Sequence, residues 1–209
     1  MKKALTISNI KAQIINRILF TGAFFEAYRQ PQNKGVWFIW GGSSSGKSSF
    51  VMQLAKALAK HFKVLYNLLE EELDDSDFIE RVDLFEMHEV EHNFLAVRYT
   101  IAELLAYLKK RNPPKVIIID SATYFFKNFQ EYMEFKKVTK NMIVIITGHA
   151  QGNSPRSELE KDIMYDCKQK IFVNAFLAVC KGRTIGPNGG LYIVWQEGYE
   201  KARGTEQKN

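Results

Sequence analysis

One segment near the start of the chain has the spacing of a phosphate-binding loop, or P-loop. Gly41–Ser48 fits the pattern G-x-x-x-x-G-K-[ST] at every fixed position. A short apolar run precedes the segment and residues with helical periodicity follow it, so the loop is predicted to join a strand to a helix. Backbone N–H groups in such a loop point at phosphate oxygens at the head of a helix. The segment therefore predicts a nucleoside triphosphate site; the alternative is a flexible turn rich in glycine and serine.

Two side chains of this loop suit a magnesium-bound triphosphate. Lys47 is expected at the β- and γ-phosphates, and the Ser48 hydroxyl is expected to ligate Mg²⁺. ATP with Mg²⁺ is the expected ligand, although the segment does not separate ATP from other nucleoside triphosphates. The predicted nucleotide-binding residues are Gly41, Gly42, Ser43, Ser44, Ser45, Gly46, Lys47, Ser48 and Ser49.

A second part of the site is predicted at Asp120. This residue follows the apolar run Val116–Ile119, and open α/β sheets bind ligands at the carboxyl ends of their strands. An aspartate there can hold the Mg²⁺ shell through water, as a Walker B aspartate does. Many strands end in aspartate, so the prediction depends on the P-loop. The predicted metal-binding residues are Ser48 and Asp120.

Three glutamates, Glu70, Glu71 and Glu72, follow a second apolar run at Lys63–Leu69. Hydrolysis needs a carboxylate that polarises the attacking water near the γ-phosphate, and a glutamate at the end of a neighbouring strand meets that need. The same residues also suit an exposed helix start, where the helix dipole favours acidic side chains. The residues alone leave both interpretations open.

His149 lies just past another apolar run, Met142–Thr147. A polar side chain at that point can hydrogen-bond the γ-phosphate and report its loss to the following loop. The alternative is a structural histidine, which is the commoner role for a histidine without partners in its motif.

The elements that must position these residues indicate an α/β fold. Helical periodicity covers Thr6–Tyr28, Ser48–His61 and Thr100–Lys110. The predicted strands are Val36–Trp40, Lys63–Leu69, Lys115–Asp120, Met142–Thr147, Ile171–Cys180 and Leu191–Trp195. Strands that are apolar on both faces and alternate with helices predict a mostly parallel sheet flanked by helices. Gly186–Gly190 predicts a hairpin turn, and hence an antiparallel edge.

Composition limits the class of protein. The chain has 209 residues, of which 46% are hydrophobic and 25% charged, as in ordinary globular domains. We expect an N-terminal helical segment (1–34), one core (35–199) and a flexible tail (200–209). Cys167 and Cys180 are far apart, which argues against a zinc ribbon or disulfide framework and favours the cytoplasm. No apolar run is long enough for a membrane span, and the net charge of +6 permits a polyanionic partner.

Further segments occur in an ordered series with the P-loop. They are Thr21-Gly22 with Glu26, Lys63–Tyr66 followed by Glu70-Glu71, Ile119-Asp120-Ser121 with Thr123, Thr147-Gly148-His149, Leu159-Glu160 with Asp162, and Lys181-Gly182-Arg183. Together they resemble the RecA-like ATPases, and most closely the ATPase core of the bacterial RadA (Sms) branch, over roughly residues 20 to 195. The zinc ribbon and the Lon-like domain of that branch have no counterpart here.

The resemblance implies roles for individual residues. Glu70 takes the place of the family's water-activating glutamate, and His149 that of its γ-phosphate sensor. Lys181 and Arg183 match a pair that reaches the nucleotide of the neighbouring subunit, which implies a ring or filament of identical chains. An exposed basic pair beside a hairpin is the alternative. The family's K-E-G after the histidine is replaced here by Ala150–Asn153, which removes support for detailed DNA contacts.

The resemblance implies an ATPase of DNA recombination, repair or replication, with single-stranded DNA as its partner. The expected DNA contacts are the loops Gln151–Ser157 and Pro187–Gly190, with Lys168 and Lys170. An ATPase that loads or remodels a protein partner is the second hypothesis. A small-molecule P-loop kinase is the third, and the chain shows no arginine-rich lid segment to favour it.

Overall fold

The computed structural model describes residues 4–182 and 190–206. Its strands are β1 (Gly35–Gly41), β2 (Val64–Leu68), β3 (Phe94–Val97), β4 (Val116–Asp120), β5 (Ile143–Gln151), β6 (Ser154–Pro155), β7 (Gln169–Asn174), β8 (Leu177–Gly182) and β9 (Gly190–Ile193). Its helices are α1 (Ile7–Lys11), α2 (Gly22–Tyr28), α3 (Lys47–Ala59), α4 (Ser76–Leu84), α5 (Ile101–Leu108), α6 (Ala122–Phe125), α7 (Phe129–Val138), α8 (Glu158–Asp166) and α9 (Gln196–Glu206). A 3₁₀ segment, Met87–Asn93, precedes β3.

The sheet is mostly parallel with an antiparallel edge. Its strand order is β3-β2-β4-β5-β1-β7-β8-β9, and the short β6 pairs with β5. The pairs from β3 to β7 are parallel, whereas β7–β8 and β8–β9 are antiparallel. The predicted fold class, an α/β sheet flanked by helices with an antiparallel edge hairpin, is confirmed. None of the described helices is long and apolar enough to cross a bilayer.

Each central strand sends alternate side chains into two separate cores, as the two-residue period of a strand requires. In β4, Val116 and Ile118 enter one core while Ile117 and Ile119 enter the other. Helix α3 packs on the first face, and helices α5, α7 and α8 pack on the second. Burial on both faces explains why these strands are continuous apolar runs.

The prediction of one helix over Thr6–Tyr28 is wrong. Helix α1 ends at Lys11, and the chain then extends until α2 begins at Gly22. Backbone pairing replaces helix in between, because Ile18 N donates to Pro31 O (2.8 Å) and Asn33 N donates to Asn16 O (3.0 Å). The helical spacing of the isoleucines was misleading, since these β-branched side chains find no core; Ile14 is 90% exposed.

Only the second half of this N-terminal segment belongs to the core. Ile18, Phe20, Ala27 and Tyr28 are buried, and the Phe24 ring stacks on Tyr192 of β9 at 4.4 Å. Helix α1 has no buried residue. A boundary between residues 34 and 35 therefore does not separate two packing units, because α2 covers the antiparallel edge of the core.

Two other predicted boundaries are also wrong. Ile171–Cys180 is not one strand but parts of β7 and β8, joined by a turn at Ala175 and Phe176 with φ of 46° and 58°. No glycine or asparagine marks this turn, so the usual hairpin signal was missing. The tail expected to be flexible from residue 200 is helical to Glu206 as part of α9. Pairs four residues apart stabilise that helix, such as Arg203 with Tyr199 (2.8 Å).

Candidate functional site

The P-loop joins β1 to α3 at the carboxyl end of the parallel strands. Ser44 and Gly46 have positive φ, 57° and 91°, which turns the chain sharply before α3 begins at Lys47. A side chain at Gly46 would collide with its surroundings, because a Cβ there would lie 2.9 Å from Cδ1 of Phe176. The loop is thus held in a cradle at the N-terminus of a 13-residue helix.

The loop forms one wall of a pocket of about 440 Å³. The lining residues are Gly42, Ser43, Ser44, Ser45, Gly46, Lys47, Ser48, Ser49, Glu70, His149 and Phe176. Oγ of Ser45 is buried there without a hydrogen-bond partner among the described residues. A phosphate oxygen would satisfy that hydroxyl, so the pocket fits a polyphosphate in chemistry as well as in backbone shape.

The Asp120 carboxylate lies behind the P-loop and is almost fully used. Its Oδ1 accepts a hydrogen bond from the Thr147 hydroxyl and lies 3.9 Å from Nζ of Lys47. Its Oδ2 accepts from the Tyr66 hydroxyl at 2.8 Å. Burial and the neighbouring Asp120 charge raise the pKa of Tyr66, so the phenol remains a donor. A carboxylate tied in this way suits contact with a metal through water.

The structure separates the three glutamates that follow β2. Oε1 of Glu70 lies 2.8 Å from Nε2 of His149 across the pocket, a contact that becomes an ion pair when the imidazole is protonated. The Glu71 carboxylate is instead bonded to Arg81, and Oε1 of Glu72 lies 3.0 Å from Nη2 of Arg98. Of the three, Glu70 alone lines the pocket.

The backbone on both sides of His149 is fixed by a buried carboxylate. Glu160 is 0% exposed, and its Oε1 accepts from His149 N at 2.8 Å. Its Oε2 accepts from the backbone N–H and hydroxyl of Ser157, closing a capping box on α8. Gly148 leaves room for this carboxylate, since a Cβ there would lie 2.8 Å from Oε1 of Glu160.

The structure does not bring Lys181 to the pocket of its own chain. Lys181 is exposed on β8 and pairs with Lys170 of β7, while Val173, three residues further along β7, pairs with Gly41 at the start of the P-loop. Lys181 therefore lies toward the end of the sheet opposite the pocket. Arg183 falls outside the residues that the structure describes.

The expected DNA-contacting residues do not form one surface. Gln151–Ser157 follows β5 at the pocket end of the sheet, whereas Lys168 precedes β7 at the other end. Gly190 begins β9 opposite Cys180, on the same side as Lys181, because β8 and β9 are antiparallel. Residues 187–189 of the second expected loop lie outside the described part of the chain. The predicted contacts thus divide between two ends of the molecule.

Three residues at the site were missed as site residues. Thr147 and Tyr66 bind Asp120, and Phe176 contacts the P-loop. A polar group inside an otherwise apolar strand is the signal that could have indicated Thr147 and Tyr66. Phe176 offered no such signal, because its role depends on the unmarked turn between β7 and β8.

Comparison with known proteins places this geometry in a class. No protein-family model matches the sequence, and no curated protein matches it in sequence. Solved structures do match: the sheet order, the P-loop and the strand-end carboxylates belong to a RecA-like fold.

The particular neighbours are three proteins of that fold. Flagellar accessory protein FlaH from Methanocaldococcus jannaschii has a TM-score of 0.59 at 18% identity, covering 86% of this chain and 92% of FlaH. The RadB recombinase has 0.56 at 17%, covering 81% and 90%. The KaiC-like protein PH0186 from Pyrococcus horikoshii OT3 has 0.57 at 18%, covering 86% and 99%. Such identities establish the fold, and the narrower resemblance to the RadA (Sms) branch stays a prediction.

Proposed function

We propose that the chain is a RecA-like ATPase that binds ATP with Mg²⁺ at Gly41–Ser49 and hydrolyses it. The observation that carries this proposal is the single pocket lined by the P-loop, Glu70 and His149. The phosphate-binding backbone, a free carboxylate and a polar side chain suited to the γ-phosphate meet there. The neighbouring glutamates are held away by arginines.

The chain's own groups divide the work of binding. Backbone N–H groups of the loop and the Lys47 ammonium would hold the β- and γ-phosphates, with Lys47 moving from its 3.9 Å contact with Asp120. Ser48 would hold Mg²⁺ directly, and Asp120 would hold it through water. The metal would neutralise phosphate charge and so lower the barrier to attack.

Glu70 would accept the proton of the attacking water, and His149 would hydrogen-bond the γ-phosphate. Their contact of 2.8 Å in the structure places both side chains at the same mouth of the pocket. A carboxylate beside the terminal phosphate lowers the barrier by taking the proton as the new P–O bond forms. His149 would lose its phosphate partner after cleavage, and its backbone is bonded to α8 through Glu160.

The test of hydrolysis uses two adjacent glutamates. Glu70→Gln should lower kcat by about 10²- to 10⁴-fold, because general-base catalysis contributes that much, while ATP still binds. Glu71→Gln is the matched control, since it removes one charge next door from a carboxylate bonded to Arg81. Steady-state hydrolysis and equilibrium ATP binding would be measured for both. Equal losses of kcat in the two variants would contradict the assignment of the base to Glu70.

We further propose that hydrolysis occurs between identical subunits, in the cytoplasm, during DNA recombination, repair or replication. The support is the exposed Lys181, which lies toward the end of the sheet opposite the pocket and is free to reach a neighbouring chain. The rate per subunit should then rise with protein concentration and rise further with single-stranded DNA. A rate that is independent of both would oppose assembly and DNA dependence.

An ATPase that remodels a protein partner is the second candidate, and one observation favours it. The N-terminal arm, residues 4–19, carries large aliphatic side chains that are more than half exposed: Leu5, Ile7, Ile10, Ile14, Ile15 and Leu19. Exposed apolar groups in this number are typical of protein-binding surfaces. Stimulation by a protein but not by DNA would support this candidate over the first.

A further inference from the structure

An aromatic pair continues the pocket beyond the P-loop. Phe176 lines the pocket, and the Trp195 ring meets it edge-to-face with centroids 5.1 Å apart at 89°. Phe176 lies in the turn between β7 and β8, and Trp195 lies just before α9. The two residues come from different elements, and the phosphate chemistry described above requires neither of them.

Phe176 is fixed to the P-loop by its backbone as well as by its ring. Its N–H donates to the Ser45 carbonyl at 3.0 Å, and its carbonyl accepts from Val194 N at 2.8 Å. Its ring lies against Gly46, where no side chain would fit. The positive φ of 58° is uncommon for a phenylalanine and is maintained by these contacts.

Trp195 is held at its base while its ring stays open to solvent. The Gln53 amide of α3 donates to the Val194 carbonyl at 3.0 Å, which fixes the chain next to Trp195 against the P-loop helix. Gly198 gives the indole space, because a Cβ there would lie 2.3 Å from Cε3 of Trp195. The side chain is nevertheless 52% exposed, whereas Trp37 and Trp40 are 1% and 8% exposed.

The direction of a bound nucleotide follows from the strand order. Glu70, Asp120 and His149 follow β2, β4 and β5, so the γ-phosphate must lie on that side of β1. The remainder of the nucleotide must then extend to the other side, over β7 and the start of α9. That is where Phe176 and Trp195 lie.

We propose that Phe176 and Trp195 form a platform on which the nucleobase of the bound nucleotide stacks. This inference rests on the proposed nucleotide binding and adds the group that holds the base. Every nucleobase presents a π-face, so stacking confers affinity without choosing among bases. ATP and GTP should therefore bind with affinities that differ only a few-fold.

The experiment compares ligands with and without a base. Binding of ATP, GTP and inorganic tripolyphosphate, each with Mg²⁺, would be measured by calorimetry on the full chain. Trp195→Ala should weaken ATP and GTP about tenfold, the effect of removing one stacking side chain, and leave tripolyphosphate unchanged. Trp195→Phe should restore most of the affinity. ATP, but not tripolyphosphate, should also protect Trp195 from acrylamide quenching.

The control is Leu191→Ala, which truncates an apolar side chain of β9 that is 58% exposed and should change no affinity. An unchanged ATP affinity in Trp195→Ala would overturn the platform. Equal weakening of ATP and tripolyphosphate would also overturn it, because the role of Trp195 would then be structural. If wild-type protein binds none of the three ligands, the proposed function itself fails; if it binds tripolyphosphate as tightly as ATP, only the platform fails.

Discussion

The two ends of the parallel sheet treat charge in opposite ways. At the pocket end, cations and anions lie together: Lys47 is 3.9 Å from Asp120, and His149 is 2.8 Å from Glu70. At the other end cations lie beside cations. Lys170 and Lys181 are paired across β7 and β8, and the field of Lys34 acts on Lys115.

The difference distinguishes a preassembled site from an incomplete one. Each charged group at the pocket end already has a partner in its own chain, which a phosphate or a metal can then displace. At the opposite end Lys181 has no ion-pair partner among the residues the structure describes. Its charge remains available to an anion outside the chain, and the proposed anion is the neighbouring subunit's triphosphate.

The largest effect should come from breaking the pocket end. Lys47→Ala removes the ammonium proposed to hold the β- and γ-phosphates and leaves Asp120 without its cation. ATP affinity should fall at least 100-fold, as measured by calorimetry, because a buried charge-assisted contact is lost. Tight magnesium-dependent binding in this variant would show that the nucleotide lies elsewhere.

The next effect tests whether the opposite end serves another chain. Lys181→Ala should lower kcat about 100-fold and leave ATP binding intact, as expected when a group acts mainly on transition-state charge. Lys170→Ala, which removes the same charge from the facing position on β7, is the control.

A mixing experiment separates action between chains from action within one. Lys181→Ala chains keep the P-loop, and Lys47→Ala chains keep Lys181. Mixtures of the two inactive variants should regain activity at their shared interfaces. A mixture that is no more active than its separate components would contradict the proposed role of Lys181 between subunits.

A smaller effect tests how closely the pocket end is packed. Gly148→Ala places a Cβ 2.6 Å from Cζ of Phe38 and 2.8 Å from Oε1 of Glu160. Such crowding should cost about 2 kcal/mol of unfolding free energy. Gly204→Ala is the control, since nothing lies within 4 Å of its added carbon and α9 should gain up to about 1 kcal/mol. Urea unfolding of both variants gives the comparison.

The smallest effect concerns repulsion at the opposite end. Burial and then the charge of Lys34 lower the pKa of Lys115. The charged ammonium of Lys115 therefore opposes folding, and Lys34→Gln should raise stability by about 0.3 kcal/mol at neutral pH. That gain should be lost as the pH rises through the folded pKa of Lys115, which lies below the usual value for lysine. An equal gain at pH values above that pKa would exclude this cause.

Local motifs account for what the sequence revealed about the site. The P-loop and Asp120 depend on residues adjacent in the chain, so their placement at the ends of β1 and β4 was predictable. Glu70 and Glu71 could not be separated in advance, because the distinction comes from Arg81, ten residues further along. Phe176 was hidden for the same reason: its partners Ser45 and Trp195 are distant in sequence.

The fold shows the same division. The four apolar runs that became β1, β2, β4 and β5 were identified because burial on both faces leaves a clear pattern. Strand β3 and helices α7 and α8 were not, since their half-buried, charged sequences resemble exposed segments. The isoleucines before residue 20 gave a helical pattern without a core to receive it.

Glu160 has a mechanical consequence for the whole molecule. A buried carboxylate that loses its donors is left with an unsolvated charge, so the end of β5 and the first turn of α8 must shift as one body. The last residue of α8, Asp166, is in turn held by the ammonium of Lys136 in α7, with Oδ1 2.6 Å from Nζ. A reporter group attached to α7, on the outer surface, would therefore register which phosphate is bound on the far side of the sheet.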